Sequence, residues 1–424
     1  MPSIPQIEAS VVFPRLQQEV ARISALPEVR AAFGWLRTQE PQFAQWQLDM
    51  ARIPAPPFGE AARGEWLRER FSELGLESVS TDDVGNVLGL RPGSGGPCVA
   101  LSAHLDTVFP AGTPLNLRQQ GTRLYGPGVS DNGAGMTALL AVVVALRKAR
   151  VQHRSPILFI GNVGEEGEGD LRGMRYLFSH SLWKDSIACS LVLDGAGSDT
   201  IVAEALGSRR FEVIVRGPGG HSWSDFGAPN PILALARAIQ AFGQTPLPAA
   251  PKTTFNVGVI RGGTSVNSIP ESASMRVDIR STSMAEMERL ETSLRQSLEA
   301  AVGEESQATE RRSPASSPRR PFGLSYEVVP IGNRPAGELD PAARILHVMR
   351  AVDAQLGNTA QIQRASTDAN VPLSLGREAV AIGGGGSGGG AHTLQEWFDC
   401  SGRELGLKRI LLAVLTLAGV RTLA

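Results

Sequence analysis

CVALSAHLDTV (98–108), MTALLAVVVALRKAR (136–150) and PILFIGNVGEE (156–166) are the stretches on which the fold turns. The first and third are short apolar runs that close on acidic residues, as buried strands do, and the second has the apolar spacing of a helix. NVLGLRPG (86–93) and CSLVLDG (189–195) are further runs of the strand kind. Strands alternating with helices predict an α/β domain of three αβα layers, its mainly parallel sheet covered on both faces. Before this region, VVFPRLQQEVARI (11–23) and RGEWLRERFSELGL (63–76) read as helices, with Gly75 as a stop.

Beyond Leu206 the pattern changes. FEVIVRG (211–217), TTFNVGVI (253–260) and SMRVDIRS (274–281) alternate like half-exposed strands, with helical runs at 231–242 and 285–302 and a last strand at SYEVVPIG (325–332). This β-α-β-β-α-β order predicts an inserted ferredoxin-like α+β domain over 207–332. It interrupts a discontinuous first domain, 1–206 with 333–424. The polar, basic, Pro/Ser-rich segment ESQATERRSPASSPRRP (305–321) reads as a solvated loop.

Composition narrows the function. The chain has 424 residues, 42% of them hydrophobic, with 41 Lys+Arg against 42 Asp+Glu, so two soluble domains are expected. The balanced charge offers no basic field for nucleic acid. The start, MPSIPQIEAS, lacks the pattern of a secretory signal, and the apolar run 410–420 is too short to span a bilayer, so no membrane role is expected. Three scattered cysteines suit neither a disulfide framework nor a zinc ribbon, and point to a reducing, cytoplasmic setting.

The chemistry gathers where strands end, the place at which open α/β sheets bind ligands. His104 and Asp106 close the first run, where an imidazole can hold a metal while a neighbouring carboxylate fixes its other nitrogen. Asp131, in YGPGVSDNGAG just before the long helix, suits either a metal or a helix N-cap. Glu165 and Glu166 are adjacent carboxylates that repel unless a cation or proton lies between them, or unless both face solvent. Asp194 ends LVLDG, and His392 follows the glycine run IGGGGSGGGA, which a strand-like segment precedes. His104, Asp131, Glu166, Asp194 and His392 form a nitrogen and oxygen ligand set without thiolates. It suits zinc, with cobalt or manganese as alternatives, in the number needed for two ions sharing a carboxylate.

The ordered motifs HLDT, YGPGVSDNGAG, GEEGEGD, LDG, GPGGHS and GGGGSGGGAH resemble the di-zinc metallopeptidase family of peptidase T, carnosinase, carboxypeptidase G, acetylornithine deacetylase and succinyl-diaminopimelate desuccinylase. The resemblance covers roughly residues 45–424. It implies that Asp131 bridges two Zn2+ ions, completed by His104 and Asp194 on one side and by Glu166 and His392 on the other. Asp106 would orient His104, and Glu165 would be the general base. The first domain, 1–206 with 333–424, would be the zinc-dependent catalytic domain, and the inserted 207–332 a lid and dimerisation domain with hinges near Leu206 and Gly332. His221 in the lid would stabilise the developing oxyanion, commonly across a homodimer formed through that domain, while Asn267 and Arg280 would bind substrate polar groups. Asp368, in STDANVPLSLG (366–376), matches a segment near the substrate site of peptidase T-like members. The substrate is expected to be a small peptide or an N-acylated amino acid. Asp rather than Glu at position 194 favours amino-, di- or tripeptidases over carboxypeptidases and deacylases. His153, His180 and His347 match no motif.

Overall fold

The computed structural model describes residues 6–312 and 323–421. They group into two compact units, Met1–Ala205 with Gly337–Ala424, and Leu206–Ala336.

In the first unit Cys98–His104 and Ile157–Asn162 are buried at every position, as strands covered on both faces must be. Cys98–His104 pairs in parallel with Ile157–Asn162 on one side and with Ile187–Leu193 on the other, and the latter pairs in parallel with Glu378–Ile382. Antiparallel strands extend the sheet outward, Val87–Arg91 and Glu77–Thr81 at one end, Thr200–Ala205 and Gly337–Glu338 at the other. Because the central strands run the same way, His104, Asn162, Leu193 and Ile382 all finish at one edge. The segments leaving that edge therefore converge.

Helix Gly133–Ala149 is apolar around its whole circumference and is correspondingly buried almost throughout. Helix Arg403–Ala418 is buried in the same way, and its Arg409 is held by a two-pronged ion pair to Asp353 (2.6 and 2.9 Å). The glycine run after Ile382 is packed structure rather than linker. A Cβ at Gly383 would collide with the Ala196 carbonyl oxygen, and one at Gly388 with the Ser130 hydroxyl.

The second unit is a four-stranded antiparallel sheet in the order Thr254–Gly262, Ser272–Ser281, Gly207–Arg216, Ser325–Arg334. Alternate residues such as Val213, Val215, Met275 and Val277 face helices Pro231–Gly243 and Met284–Arg312 and form its core with Leu235, Phe242, Leu290 and Leu294. This is the ferredoxin-like arrangement. One expectation is corrected: the segment read as a loop from Glu305 is helical as far as Arg312, because Glu305 is buried and accepts hydrogen bonds from Arg312 and Arg237. The rest of that segment lies outside the described residues. Among the described residues no helix is long and apolar enough to cross a membrane.

Candidate metal centre

His104, the last residue of its strand, has its Nδ1 3.0 Å from the Asp106 main-chain oxygen. That carbonyl can only accept, so Nδ1 carries a proton, and Nε2 faces Asp131 Oδ1 (3.2 Å) and Asp194 Oδ1 (3.9 Å). His392 Nε2 lies 3.0 Å from Asp131 Oδ2 and 2.9 Å from Glu166 Oε1. The two oxygens of Asp131 thus face different imidazoles. Candidate ligand atoms of His104, Asp131 and Asp194 lie within 4.8 Å of one another; the same holds for Asp131, Glu166 and His392, and for His104, Glu165 and Glu166. Asp131 is shared by the first two groups, and it does not cap the following helix, a task taken by Asn132.

Glu165 and Glu166 are 5% and 6% exposed, so the pair does not face solvent. Asp106 meets His104 through its main-chain oxygen, its carboxylate standing 3.8 Å from the same nitrogen. That carboxylate accepts the main-chain N–H groups of Glu165 (3.0 Å) and Glu166 (2.7 Å) and so sets the turn that presents both acids.

The electrostatics suit cations. Burial works to lower the His104 pKa, yet Asp131 and Asp194 hold it well above the ordinary histidine value. Hydrogen bonds to Asp131 and Glu166 push His392 up to about 10. Burial works to raise Asp131, and its bonds to both imidazoles overcome this and hold it well below the usual carboxylate range. Four carboxylates around two imidazoles, all nitrogen or oxygen donors, fit a pair of divalent ions of the zinc, cobalt or manganese kind. Beside Asp131 and Asp194 a cleft of about 550 Å³ is walled by residues 195–199 and 386–391, mostly small or glycine.

The remaining expected residues divide between the two units, Asp368 in the first and His221, Asn267 and Arg280 in the second. His221 and Asn267 lie close together in the second unit, where His221 pairs with Ser268 and the Ser222 N–H donates to the Asn267 main-chain oxygen (3.0 Å). His221 Nδ1 accepts from the Trp223 N–H (3.2 Å), which leaves its proton on Nε2 as a donor. Arg280, at the end of its strand, is ion-paired with Asp278 (2.6 Å). Asp368 is fully buried, its Oδ2 accepting from Asn162 Nδ2 (2.6 Å) while Oδ1 has no hydrogen-bond partner among the described residues. Burial pushes its carboxyl up to about 7, only partly offset by His104 and Asn162.

Several supporting residues carry no motif that singles them out. The buried Glu396 carboxylate accepts the main-chain N–H groups of Gly128 (2.8 Å), Ser130 (2.7 Å) and Asp131 (2.7 Å), and burial still pushes its pKa up to about 7. Arg63, also buried, donates from Nη1 to the Leu105 carbonyl (2.7 Å), inside the His104–Asp106 turn. Gln47 donates to the Val129 carbonyl and accepts from Arg403, joining the N-terminal helix Glu40–Ala51 to the Asp131 loop. The available signal was Glu396 standing four residues after His392, and the motif around Asp131 itself.

Residues 100–416 match peptidase family M20/M25/M40. Carboxypeptidase G2 of Pseudomonas sp. (strain RS-16) is 27% identical over 52% of this chain and 55% of its own length. The chain spans about half the length of the curated relatives first matched. Among solved structures, aminopeptidase PepT of Bacillus cereus superposes with a TM-score of 0.69 at 20% identity, over 89% of this chain and 99% of that one. The YXEP protein of Bacillus subtilis, described as a dinuclear metal binding peptidase, gives 0.64 at 15% identity over 90% and 99%. These structural likenesses bear on the fold, and the match across most of the chain bears on descent: the chain belongs to peptidase family M20/M25/M40.

Proposed function

We propose that the protein hydrolyses an amide bond in short peptides, as an amino-, di- or tripeptidase, with two divalent ions, in the first instance Zn2+. The observation that carries this reading is the placing of Asp131 between two imidazoles, each with a second carboxylate, Asp194 beside His104 and Glu166 beside His392. Bound there, two ions would supply Lewis-acid activation of a water and of the scissile carbonyl.

The protein groups do the rest. Glu165, buried in the same cluster, takes the proton from the attacking water and returns it to the leaving amine. Asp106 holds the main chain of Glu165 and, through its own carbonyl, the ring of His104. The Nε2–H of His221 donates to the oxyanion. Asn267 and Arg280 receive the substrate's polar groups, and Asp368, fully buried, bears on them only through its neighbours. The shorter acid at Asp194 supports a peptidase. The likeness to carboxypeptidase G2 supports a second reading, a carboxypeptidase or N-acyl amino acid deacylase with the same ligands. A panel of di- and tripeptides, N-acetyl amino acids and N-acylated glutamate, each with zinc, cobalt or manganese, separates them. We expect turnover of free-amine peptides to exceed that of acylated amino acids, and the reverse order selects the second reading. No hydrolysis with any ion sinks both.

We further propose a homodimer through the second unit. Its edge strand Thr254–Gly262 has an unpaired side and exposes Val259 and Ile260, and the neighbouring helix exposes Ile232 and Leu233. Light scattering is expected to give twice the chain mass; a fully active monomer removes any role for His221 across subunits. The burial of Cys98, Cys189 and Cys400, none of them paired, supports a cytoplasmic setting.

A further inference from the structure

Asn132 is 1% exposed, and its side chain makes three hydrogen bonds. Oδ1 accepts from the Gly135 N–H (3.1 Å), which caps the long helix, and also from the Gly195 N–H (3.0 Å). Nδ2 donates to the Leu193 carbonyl (2.8 Å). The last two bonds grip the residues on either side of Asp194. The approach is close: a Cβ at Gly135 would collide with both Asn132 Oδ1 and the Leu193 oxygen.

We propose that Asn132 is a positioning residue that fixes the separation of Asp131 and Asp194, and so governs affinity at the ion these two share with His104. The inference rests on the ligand assignment above. Only an amide of this length offers a donor and an acceptor to the two sides of Asp194 at once. On the opposite flank, Glu396 holds the Asp131 main chain, which serves both ions. A loss at Asn132 therefore acts on one ion, because among the described residues the hydrogen bonds of its side chain run to Gly135, Gly195 and Leu193 and none to Glu166 or His392.

Asn132→Ser keeps a hydroxyl to cap the helix but cannot span to Leu193. Asn132→Asp keeps the cap and the Gly195 bond but sets a carboxylate oxygen against the Leu193 carbonyl. Calorimetric titration of the metal-free protein with Zn2+ is expected to show two sites in the parent. In either variant one site should weaken by about 10–100-fold, the usual effect of losing a group that orients a ligand, while the other changes less than about threefold. Adding the substitution to Asp194→Ala should cost no further affinity. Thermal unfolding reports whether each variant folds, and the milder of the two is titrated if one does not. Two unchanged sites, or two sites weakened equally, overturn the role of Asn132 alone. A parent protein that binds fewer than two ions overturns the ligand assignment, and this inference with it.

Discussion

Glu165→Gln is expected to lower kcat by about 10²–10⁴-fold, the range that a positioned general base supplies, while the purified protein keeps its full metal content. Glutamine matches glutamate in shape and differs in that it cannot accept and return a proton. The main-chain bond from residue 165 to Asp106 does not depend on the side chain, so the turn that also presents Glu166 stays in place. The metal assay is what gives the comparison its force. If activity and one metal equivalent disappear together, Glu165 is a ligand and the proton falls to another group. If kcat is unchanged, the base assignment fails outright.

Asp131→Ala is expected to remove both ions and at least about 10³-fold of activity, a loss set by the missing metal-activated water and carbonyl. Among the described residues Asp131 is the acid whose two oxygens each come within 3.2 Å of a different imidazole, whereas Asp194 stands 3.9 Å from His104 and Glu166 has its short contact, 2.9 Å, with His392. Removing a terminal ligand should behave differently, and His392→Ala is expected to leave one ion bound. Metal content per chain, measured after dialysis against a weak chelator, distinguishes the two. Retention of one full equivalent in Asp131→Ala would show that the carboxylate serves a single ion and that the shared position lies elsewhere.

Much of the site could be read along the chain because metal sites in parallel sheets draw on strand ends, and strand ends are visible as apolar runs that stop at a polar residue. His104, Glu165, Glu166 and Asp194 stand at such stops. His392 was legible for a different reason, as a histidine after a glycine run between a strand-like segment and an expected helix. The run itself misleads on composition, since the same glycines that suggest a flexible linker are needed for backbone to pass against Ala196 and Ser130. The stretch from Glu305 shows the converse. Its polarity suggested solvent, but a helix with one buried acid and arginines to pair with it remains ordered through Arg312.

Residue type and chain order thus carried the fold class and the inventory of candidate ligands, because periodicity and strand termini are local properties. What each ligand faces, and what holds it, depended on segments far apart in the chain. Glu396 meets the Asp131 main chain across 265 positions, and Asn132 meets Leu193 across 61. Asp106, two residues from its histidine in sequence, spends its carboxylate on amides 59 and 60 residues away. Such bonds leave no periodic trace. They form only when the assembled sheet brings N–H and C=O groups into a buried place where each must find a partner.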